Sequence, residues 1–283
     1  MMIELIQQRL ESYDTKNPIE EEQAIKEIIQ EIALYALWRA DFFDVAAFQG
    51  GTSLRILHKL PRFSEDLDFI LKTATPDFGW APYLESLLEC FEGFGLQSEA
   101  LAKGQMDSRI KKAIIKDNSI ANQLNLSLYR GNNKQKLRVK LEIDVNPPIG
   151  SDFEYSYIDF PLDFEVCHQD LASNFALKIH ALLCRPYLKG RDWYDFNWYV
   201  KHKVPPNLSH LKNALIQYGP WVNQEGLQVN MQWLKKVLKE KINTVDWDDA
   251  AKDVTRFLNS AEQQSLRLWS ERFFTERVEK LTP

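Results

Sequence analysis

Two neighbouring segments carry side chains suited to phosphoryl chemistry. They are residues 48–54, which read FQGGTSL, and residues 62–69, which read RFSEDLDF. If residues 66–69 form a strand, alternation puts Asp66 and Asp68 on the same face. Two such carboxylates repel each other by about 4 kcal/mol at about 4 Å and an effective dielectric constant of about 20, unless a cation lies between them. We expect that cation to be Mg²⁺, which prefers oxygen ligands and shares its remaining positions with water and substrate phosphates.

The glycine-rich segment has the features of a phosphate cradle. Gly50 and Gly51 let the backbone approach a phosphate closely, because they carry no side chain. Thr52 and Ser53 offer hydroxyl groups, and the start of the following helix offers free N–H groups. A phosphate cradle next to a metal site predicts nucleotide chemistry.

The order Gly-Gly-Thr-Ser followed by Asp-x-Asp resembles the signature of the nucleotidyltransferase superfamily. The wording of both segments is more narrowly similar to the AbiEii/AbiGii toxin-type branch of bacterial toxin–antitoxin and phage-defence systems. Thr52 stands where the superfamily usually has serine, and Ser53 follows it, so either hydroxyl is a candidate phosphate contact. The resemblance implies a nucleotidyltransferase-type mixed β-sheet core flanked by helices.

The resemblance also implies a third carboxylate, supplied by a neighbouring strand. Residues 137–145 alternate as a strand does, with Lys140, Glu142 and Asp144 on one face and apolar side chains on the other. The family's recurring Lys-x-Glu pattern favours Glu142 as the third acid, with Asp144 as the alternative. Without the neighbouring motifs, an edge strand with a solvated polar face would be the preferred interpretation.

A later block, residues 171–196, matches the family's remaining motifs. Lys178 and Arg185 are two helical turns apart and share a face. Lys178 is expected to stabilise charge on the phosphoryl oxygens and the leaving pyrophosphate, and Arg185 to help bind the nucleotide. Asp192 is expected to orient either cation, to hold the nucleotide or to position the acceptor. The alternative is a solvated helix with an Arg185–Asp192 surface ion pair worth under about 1 kcal/mol.

The composition is that of an ordinary globular protein. Of the 283 residues, 45% are hydrophobic and 27% are charged, and the net charge is −5. That charge argues against nucleic-acid binding through bulk positive charge, although residues 109–112, 134–136 and 138–140 are basic and form either a local patch or solvated faces. The three cysteines lack metal or disulfide spacing, and no apolar run approaches the roughly 20 residues of a membrane span. Since the first residues lack a signal-peptide pattern, we expect a cytoplasmic protein.

The remaining patterns predict an α/β domain followed by helices. Strands are expected at residues 45–48, 67–71, 96–102, 121–129, 137–145 and 164–167, with a hairpin turn at Gly131 and an ambiguous segment at 109–116. Helices are expected after Asn17, at 52–59, 83–91 and 170–185, and four or five more after Pro205. We therefore predict an α+β fold with a nucleotidyltransferase-like domain over residues 1–203 and an all-helical C-terminal domain over residues 204–283.

These features support one leading hypothesis and two alternatives. The leading hypothesis is a metal-dependent nucleotidyltransferase in which Asp66 and Asp68, with Glu142 or Asp144, hold two Mg²⁺ ions while NMP is transferred from an NTP and pyrophosphate is released. By resemblance, it is a toxin that modifies an RNA, with tRNA 3′ ends preferred, or a protein, and a separately encoded antitoxin counters it. The alternatives are a nucleotide-binding regulatory protein without turnover and a structural partner protein with a vestigial acidic pocket.

Overall fold

The computed structural model describes residues 2–103, 109–117, 119–124, 126 and 137–282. The chain divides into two compact units. The sheet unit comprises Met1–Lys59, Phe63–Pro147 and Glu154–His168, and the helical unit comprises Leu60–Arg62, Pro148–Phe153 and Gln169–Pro283. None of the described helices has the length and hydropathy that a membrane crossing requires.

Within the described residues, seven strands form one mixed sheet. They are β1 (Ala46–Gln49), β2 (Asp66–Leu71), β3 (Ser98–Lys103), β4 (Ile110–Asp117), β5 (Leu137–Asp144), β6 (Phe153–Ile158) and β7 (Phe164–Gln169). Their order across the sheet is β3-β4-β5-β2-β1-β7-β6. Strand β2 is parallel to β5 and antiparallel to β1, and β4 is antiparallel to β5. The two strands that carry the predicted acids are therefore direct neighbours.

Helices and an aromatic core support this sheet. The helices are α1 (Met2–Glu11), α2 (Pro18–Arg39), α3 (Phe42–Val45), α4 (Gly50–His58), α5 (Ala81–Gly93) and α6 (Ile120–Gln123). As predicted, the Asn17 side chain caps α2, accepting hydrogen bonds from two N–H groups of its first turn. Phe42 packs edge-on against Phe69 of β2, with ring centroids 4.9 Å apart, and stacks on Trp80. Strand β2 thus turns its apolar residues into the core.

The helical unit contains seven α-helices among the described residues. They are α7 (Leu171–Cys184), α8 (Gly190–Lys201), α9 (Leu208–Gln217), α10 (Met231–Ile242), α11 (Trp247–Thr255), α12 (Ser260–Ser265) and α13 (Glu271–Glu279). Trp193 of α8 and Phe274 of α13 are buried and both contact Trp247 of α11. Helix α8 begins at Gly190, where an added Cβ would overlap the Ala250 carbonyl oxygen of α11. The backbones of α8 and α11 are therefore in direct contact at this point, with no room for a side chain between them.

Most predicted elements are present, and two differ. The strand predicted at 121–129 is wrong where residues 120–123 form α6, because the Asp117 carboxylate accepts hydrogen bonds from the N–H groups of Ser119 and Ile120, at 2.9 and 2.7 Å, and starts a helical turn. Residues 127–136, including the expected turn at Gly131, lie outside the described residues. Strand β6 is an addition that the sequence analysis does not predict.

The ambiguous segment at 109–116 is strand β4, and the α+β class is confirmed by the mixed sheet with its flanking helices. The boundary between the two compact units differs from the one expected between residues 203 and 204. Helices α7 and α8 precede that position but pack against α9 and α11, which follow it. The helices that carry Lys178 and Asp192 therefore belong to the helical unit.

Candidate active site

Three carboxylates lie on one face of the two central strands of the sheet. Asp66 and Asp68 alternate along β2 with Leu67 and Phe69, which are fully buried on the other face. The parallel register with β5 aligns Asp68 with Glu142. We call the surface formed by Asp66, Asp68 and Glu142 the acidic face.

The same register separates the two candidates for the third acid. Asp144 is aligned with Ile70, one strand repeat beyond Asp68, whereas Glu142 lies directly beside Asp68. Asp144 also accepts a hydrogen bond of 2.9 Å from the N–H of Asn146, so it helps to form the turn that follows β5. The arrangement favours Glu142 as the partner of the Asp pair.

Two lysines accompany the acidic face. Lys140 of β5 is aligned with Asp66, and its Nζ lies 3.5 Å from Asp66 Oδ1. Lys112 of β4 is aligned with Glu142, and its Nζ lies 3.0 Å from Glu142 Oε1. Both lysines are about half exposed, so each pair contributes at most about 1 kcal/mol. These ion pairs are weak enough for a ligand of higher charge to replace them.

The donor set of the acidic face fits Mg²⁺ in ligand type. Mg²⁺ takes carboxylate oxygens in octahedral geometry and keeps several waters, so it does not need a complete cage of protein ligands. Within the described residues, no three His, Cys, Asp or Glu side chains converge as a ready-made metal site. Ion binding would therefore draw Asp66 and Glu142 away from Lys140 and Lys112.

The glycine turn is fitted against the acidic face. Gly50 has φ +78°, and a Cβ added there would lie 2.6 Å from Asp68 Oδ2. Glycine is required for two reasons: L-amino acids rarely adopt this backbone conformation, and all of them carry a Cβ. Helix α4 begins at Gly50, and the preceding Gln49 makes no side-chain cap. The turn thus presents backbone beside a carboxylate with no side chain between them.

The two hydroxyls after the glycines hold this turn in place. Thr52 Oγ1 donates to the carbonyl oxygen of Asp66, and Ser53 Oγ donates to the carbonyl oxygen of Gly50 at 3.0 Å. Thr52, Ser53 and the adjacent Gly51 are all buried. The Thr52 bond ties the glycine turn directly to the strand that carries the Asp pair, so the two motifs are positioned together.

In the helical unit, five side chains form a network of ion pairs, which we call the charged network. Lys178 Nζ lies 2.7 Å from Asp192 Oδ1 and 2.8 Å from Asp195 Oδ2. Arg62 forms a two-pronged pair with Asp195, through bonds of 2.6 and 2.7 Å, and Arg185 pairs with Asp192. Asp195 is fully buried and Asp192 is 3% exposed. The alternative of a solvated surface pair between Arg185 and Asp192 is therefore wrong.

Burial and pairing act in opposite directions within the charged network. Burial alone would raise the pKa of Asp192, but Lys178 and Arg185 lower it below its ordinary value. The pKa of Asp195 is lowered in the same way, because Arg62 and Lys178 outweigh burial. Burial alone would lower the pKa of Lys178, whereas Asp192 and Asp195 raise it. Three cations thus surround two ionised carboxylates, and the network is net positive.

Lys178 and Asp192 lie on helices as predicted, whereas Arg185 directly follows the end of α7, and the sequence analysis assigns no role to Arg62 or Asp195. The structure brings all five together. Asp195 lies one helical turn after Asp192, which was the available signal, because a second acid on a buried face needs its own cation. Arg62 is 133 residues away from Asp195 in the chain, and no local pattern connects them.

Comparison with known proteins gives one family match and two similar solved structures. The family model described as "Nucleotidyl transferase AbiEii toxin, Type IV TA system" matches residues 32–273. Two solved structures from Helicobacter pylori are similar to this chain, each at 18% identity with a TM-score of 0.49. One is described as a candidate nucleotidyltransferase, and the match covers 90% of this chain and 95% of that protein's chain. The other is JHP933, and the match covers 92% of this chain and 94% of the JHP933 chain.

No curated protein matches the chain. The family match is the finding that decides identity, because it spans both compact units, from α2 to α13, and includes the glycine turn, the acidic face and the charged network. The chain belongs to the AbiEii nucleotidyl transferase toxin family of type IV toxin–antitoxin systems.

Proposed function

We propose that this nucleotidyltransferase uses Mg²⁺ at the acidic face to transfer a nucleoside monophosphate from an NTP to an RNA acceptor. In this reaction an acceptor hydroxyl oxygen attacks the α-phosphorus and its proton passes to water, the bond between the α-phosphorus and the bridging oxygen breaks, and pyrophosphate leaves. The observation that carries the proposal is the alignment of Glu142 with Asp68, next to a glycine turn that has no room for a Cβ. Carboxylates beside a glycine turn at the start of a helix suit a metal–triphosphate ligand.

Asp66, Asp68 and Glu142 are proposed to hold the metal, with two ions expected. Bound Mg²⁺ would supply charge stabilisation for the attacking and leaving oxygens. The protein's own part is to keep three acids on one rigid sheet face and to provide Lys112 and Lys140 as counter-ions in the absence of metal. Asp144 is the less favoured ligand, because it is aligned with Ile70 and hydrogen-bonded to the following turn.

The glycine turn is proposed to bind the β- and γ-phosphates. Backbone N–H groups at Gly50 and Gly51 open α4, and a helix start is favourable for anions. Thr52 and Ser53 support this role by anchoring the turn, since each hydroxyl donates to a backbone carbonyl. Their oxygens retain lone pairs, but their donor protons are in use, so we assign phosphate contact to the backbone first.

The charged network is proposed to provide positive charge for the nucleotide. Lys178 and Arg185 supply that charge, and Asp192 orients both through its two carboxylate oxygens. Arg62 and Asp195 are positioning residues, because Asp195 fixes Lys178 from the opposite side of Asp192. Without these carboxylates, three cations in a buried position would repel one another strongly.

The basic side chains beside the acidic face support an RNA acceptor over a protein. Lys112 and Lys116 of β4 are aligned with Glu142 and Arg138 of β5, so the cations lie on the sheet face that carries the acids. Lys140 lies between Arg138 and Glu142 on the same face. A row of cations next to a metal site is suited to a phosphate backbone. The basic cluster at 134–136 lies outside the described residues.

The test is a labelling experiment with purified protein, Mg²⁺, each α-labelled NTP in turn and total bacterial RNA. Label on a tRNA-sized RNA would support the proposal and identify the nucleotide. Glu142→Gln should abolish labelling while Asp144→Asn retains it, which distinguishes the two candidates for the third acid. Label on protein would replace the RNA acceptor with a protein acceptor. Nucleotide binding without any label would favour a regulatory protein that lacks turnover.

A further inference from the structure

A cavity of about 460 Å³ opens in the helical unit, at the end of α7. Its wall is formed by the segment between α7 and α8 and by the turn between α10 and α11. Arg185 and Asp192 of the charged network reach this wall, but most of the lining comes from residues with no place in the proposed reaction. The volume is within the range of small-molecule sites, which is roughly 300–1,000 Å³.

Two lysines in this wall lack a close ion pair in the part of the chain that the structure describes. Lys189 and Lys241 are both partly buried, and neither ammonium group forms a hydrogen bond or ion pair with any residue in the described part of the chain. Burial lowers the pKa of Lys189; Asp192 opposes this effect, while Lys178, Arg191 and Arg185 add to it. A partly buried cation among other cations is stabilised by an anion, so the cavity favours a negatively charged occupant.

None of the carboxylates in the wall forms an ion pair with either lysine within the described residues. Asp192 is paired with Lys178 and Arg185. Asp246 caps α11 by accepting a hydrogen bond of 3.0 Å from the N–H of Asp249. Asp249 itself accepts from Lys252 Nζ at 2.8 Å. Among the cations of the cavity wall in the described part of the chain, Lys189 and Lys241 are therefore the two without a close ion pair.

The neighbouring side chains add a surface for a flat apolar group. Tyr187 is 63% exposed, and the Arg185 guanidinium lies 5.3 Å from the centroid of its ring. Leu188, Trp193 and Val245 supply apolar wall. Cations and an exposed aromatic side chain in one cavity wall suit a phosphate attached to a ring.

We propose that this cavity binds the phosphate group of a small phosphorylated ligand through Lys189 and Lys241. The site is separate from the acidic face in its residues, and it needs neither Mg²⁺ nor turnover. Free phosphate and a nucleoside monophosphate share this chemistry, and they differ in whether Tyr187 contributes to binding.

The test is calorimetric titration of the full-length Asp68→Asn protein with inorganic phosphate, pyrophosphate and each nucleoside monophosphate, in EDTA. The transfer-deficient background without metal removes turnover, and variants of Lys189 and Lys241, which have no part in the proposed function, separate this site from nucleotide binding at Lys178 and Arg185. Lys189→Ala and Lys241→Ala should each weaken binding by about tenfold or more, as expected for loss of one charged hydrogen bond. Lys236→Ala is the matched control, because Lys236 lies on the same helix as Lys241 with its side chain 75% exposed.

The ligands distinguish the two sources of phosphate. Monophosphate binding that is tighter than phosphate binding, and is weakened by Tyr187→Ala, identifies a nucleotide. Equal binding of both, unaffected by Tyr187→Ala, identifies free phosphate. The proposal is overturned if no small ligand binds, or if the two lysine variants bind as tightly as Lys236→Ala.

Discussion

Replacement of Gly50 by alanine tests the coupling between the glycine turn and the acidic face. A Cβ at this position lies 2.6 Å from Asp68 Oδ2, whereas an ordinary contact begins at 3.4 Å, so the two atoms must separate by about 0.8 Å. The backbone at φ +78° costs a further amount of about 1–2 kcal/mol for a residue with a Cβ. Gly50→Ala should therefore move a proposed metal ligand and also lower the free energy of unfolding.

The expected effect on catalysis exceeds the effect on stability. Misplacing a reacting group by about 1 Å costs on the order of a hundredfold in rate, so kcat/KM for NMP transfer should fall by about that factor. The free energy of unfolding, measured by urea denaturation, should fall by at least the backbone cost of about 1–2 kcal/mol, which by itself leaves the protein folded. Transfer is measured as label incorporated from an NTP into RNA.

Two further variants separate the effect of the Cβ on Asp68 from the effect of the strained backbone. Gly50→Asn also introduces a Cβ, but asparagine tolerates the left-handed backbone better, so it should recover stability without recovering activity. Gly79→Ala should leave both unchanged, because an added Cβ there meets no atom within 4 Å. Wild-type transfer by Gly50→Ala would refute the reasoning, since the Asp68 carboxylate would then tolerate displacement.

Three other perturbations have defined outcomes. Lys112→Ala should lower the Mg²⁺ concentration for half-maximal transfer by about two- to fivefold, because it removes a weak competitor for Glu142. Gly190→Ala should lower the free energy of unfolding by about 2–3 kcal/mol or more in urea denaturation, since its Cβ would also lie 2.8 Å from the Ala250 carbonyl carbon. His58 has a pKa lowered to about 4, chiefly by burial, so the unfolded chain binds the proton more readily and stability should fall as pH drops from about 6.5 to 4. His58→Gln should flatten that dependence in pH-resolved thermal unfolding.

The acidic face could be predicted from local periodicity. Alternation along β2 and β5 is sufficient to place Asp66 with Asp68 and Lys140 with Glu142, and a helical turn is sufficient to relate Asp192 to Asp195. The register that aligns Glu142 rather than Asp144 with Asp68 depends on pairing between distant strands, which no single segment encodes.

Other parts depend on contacts far apart in the chain. Arg62 and Asp195 are linked only by folding, and the ion pair between Lys112 and Glu142 requires β4 to be recognised as a strand. Strand β6 escaped prediction because most of its side chains are exposed or half exposed, including Tyr155 and Tyr157, so burial leaves no clear apolar alternation. Local patterns thus predict which side chains share a face of a strand or helix, whereas contacts between distant segments determine which side chains they pair with.

The central claim is that the acidic face carries out metal-dependent transfer. Its most direct test is the initial rate of pyrophosphate release over a Mg²⁺ titration, with RNA present, for wild-type protein, Asp68→Asn and Asp163→Asn. Asp163 is the matched control, because it is an exposed aspartate of the sheet unit. We expect release that requires Mg²⁺, is lost in Asp68→Asn and is unchanged in Asp163→Asn. Wild-type release by a folded Asp68→Asn protein, or release that persists in EDTA, would contradict the account.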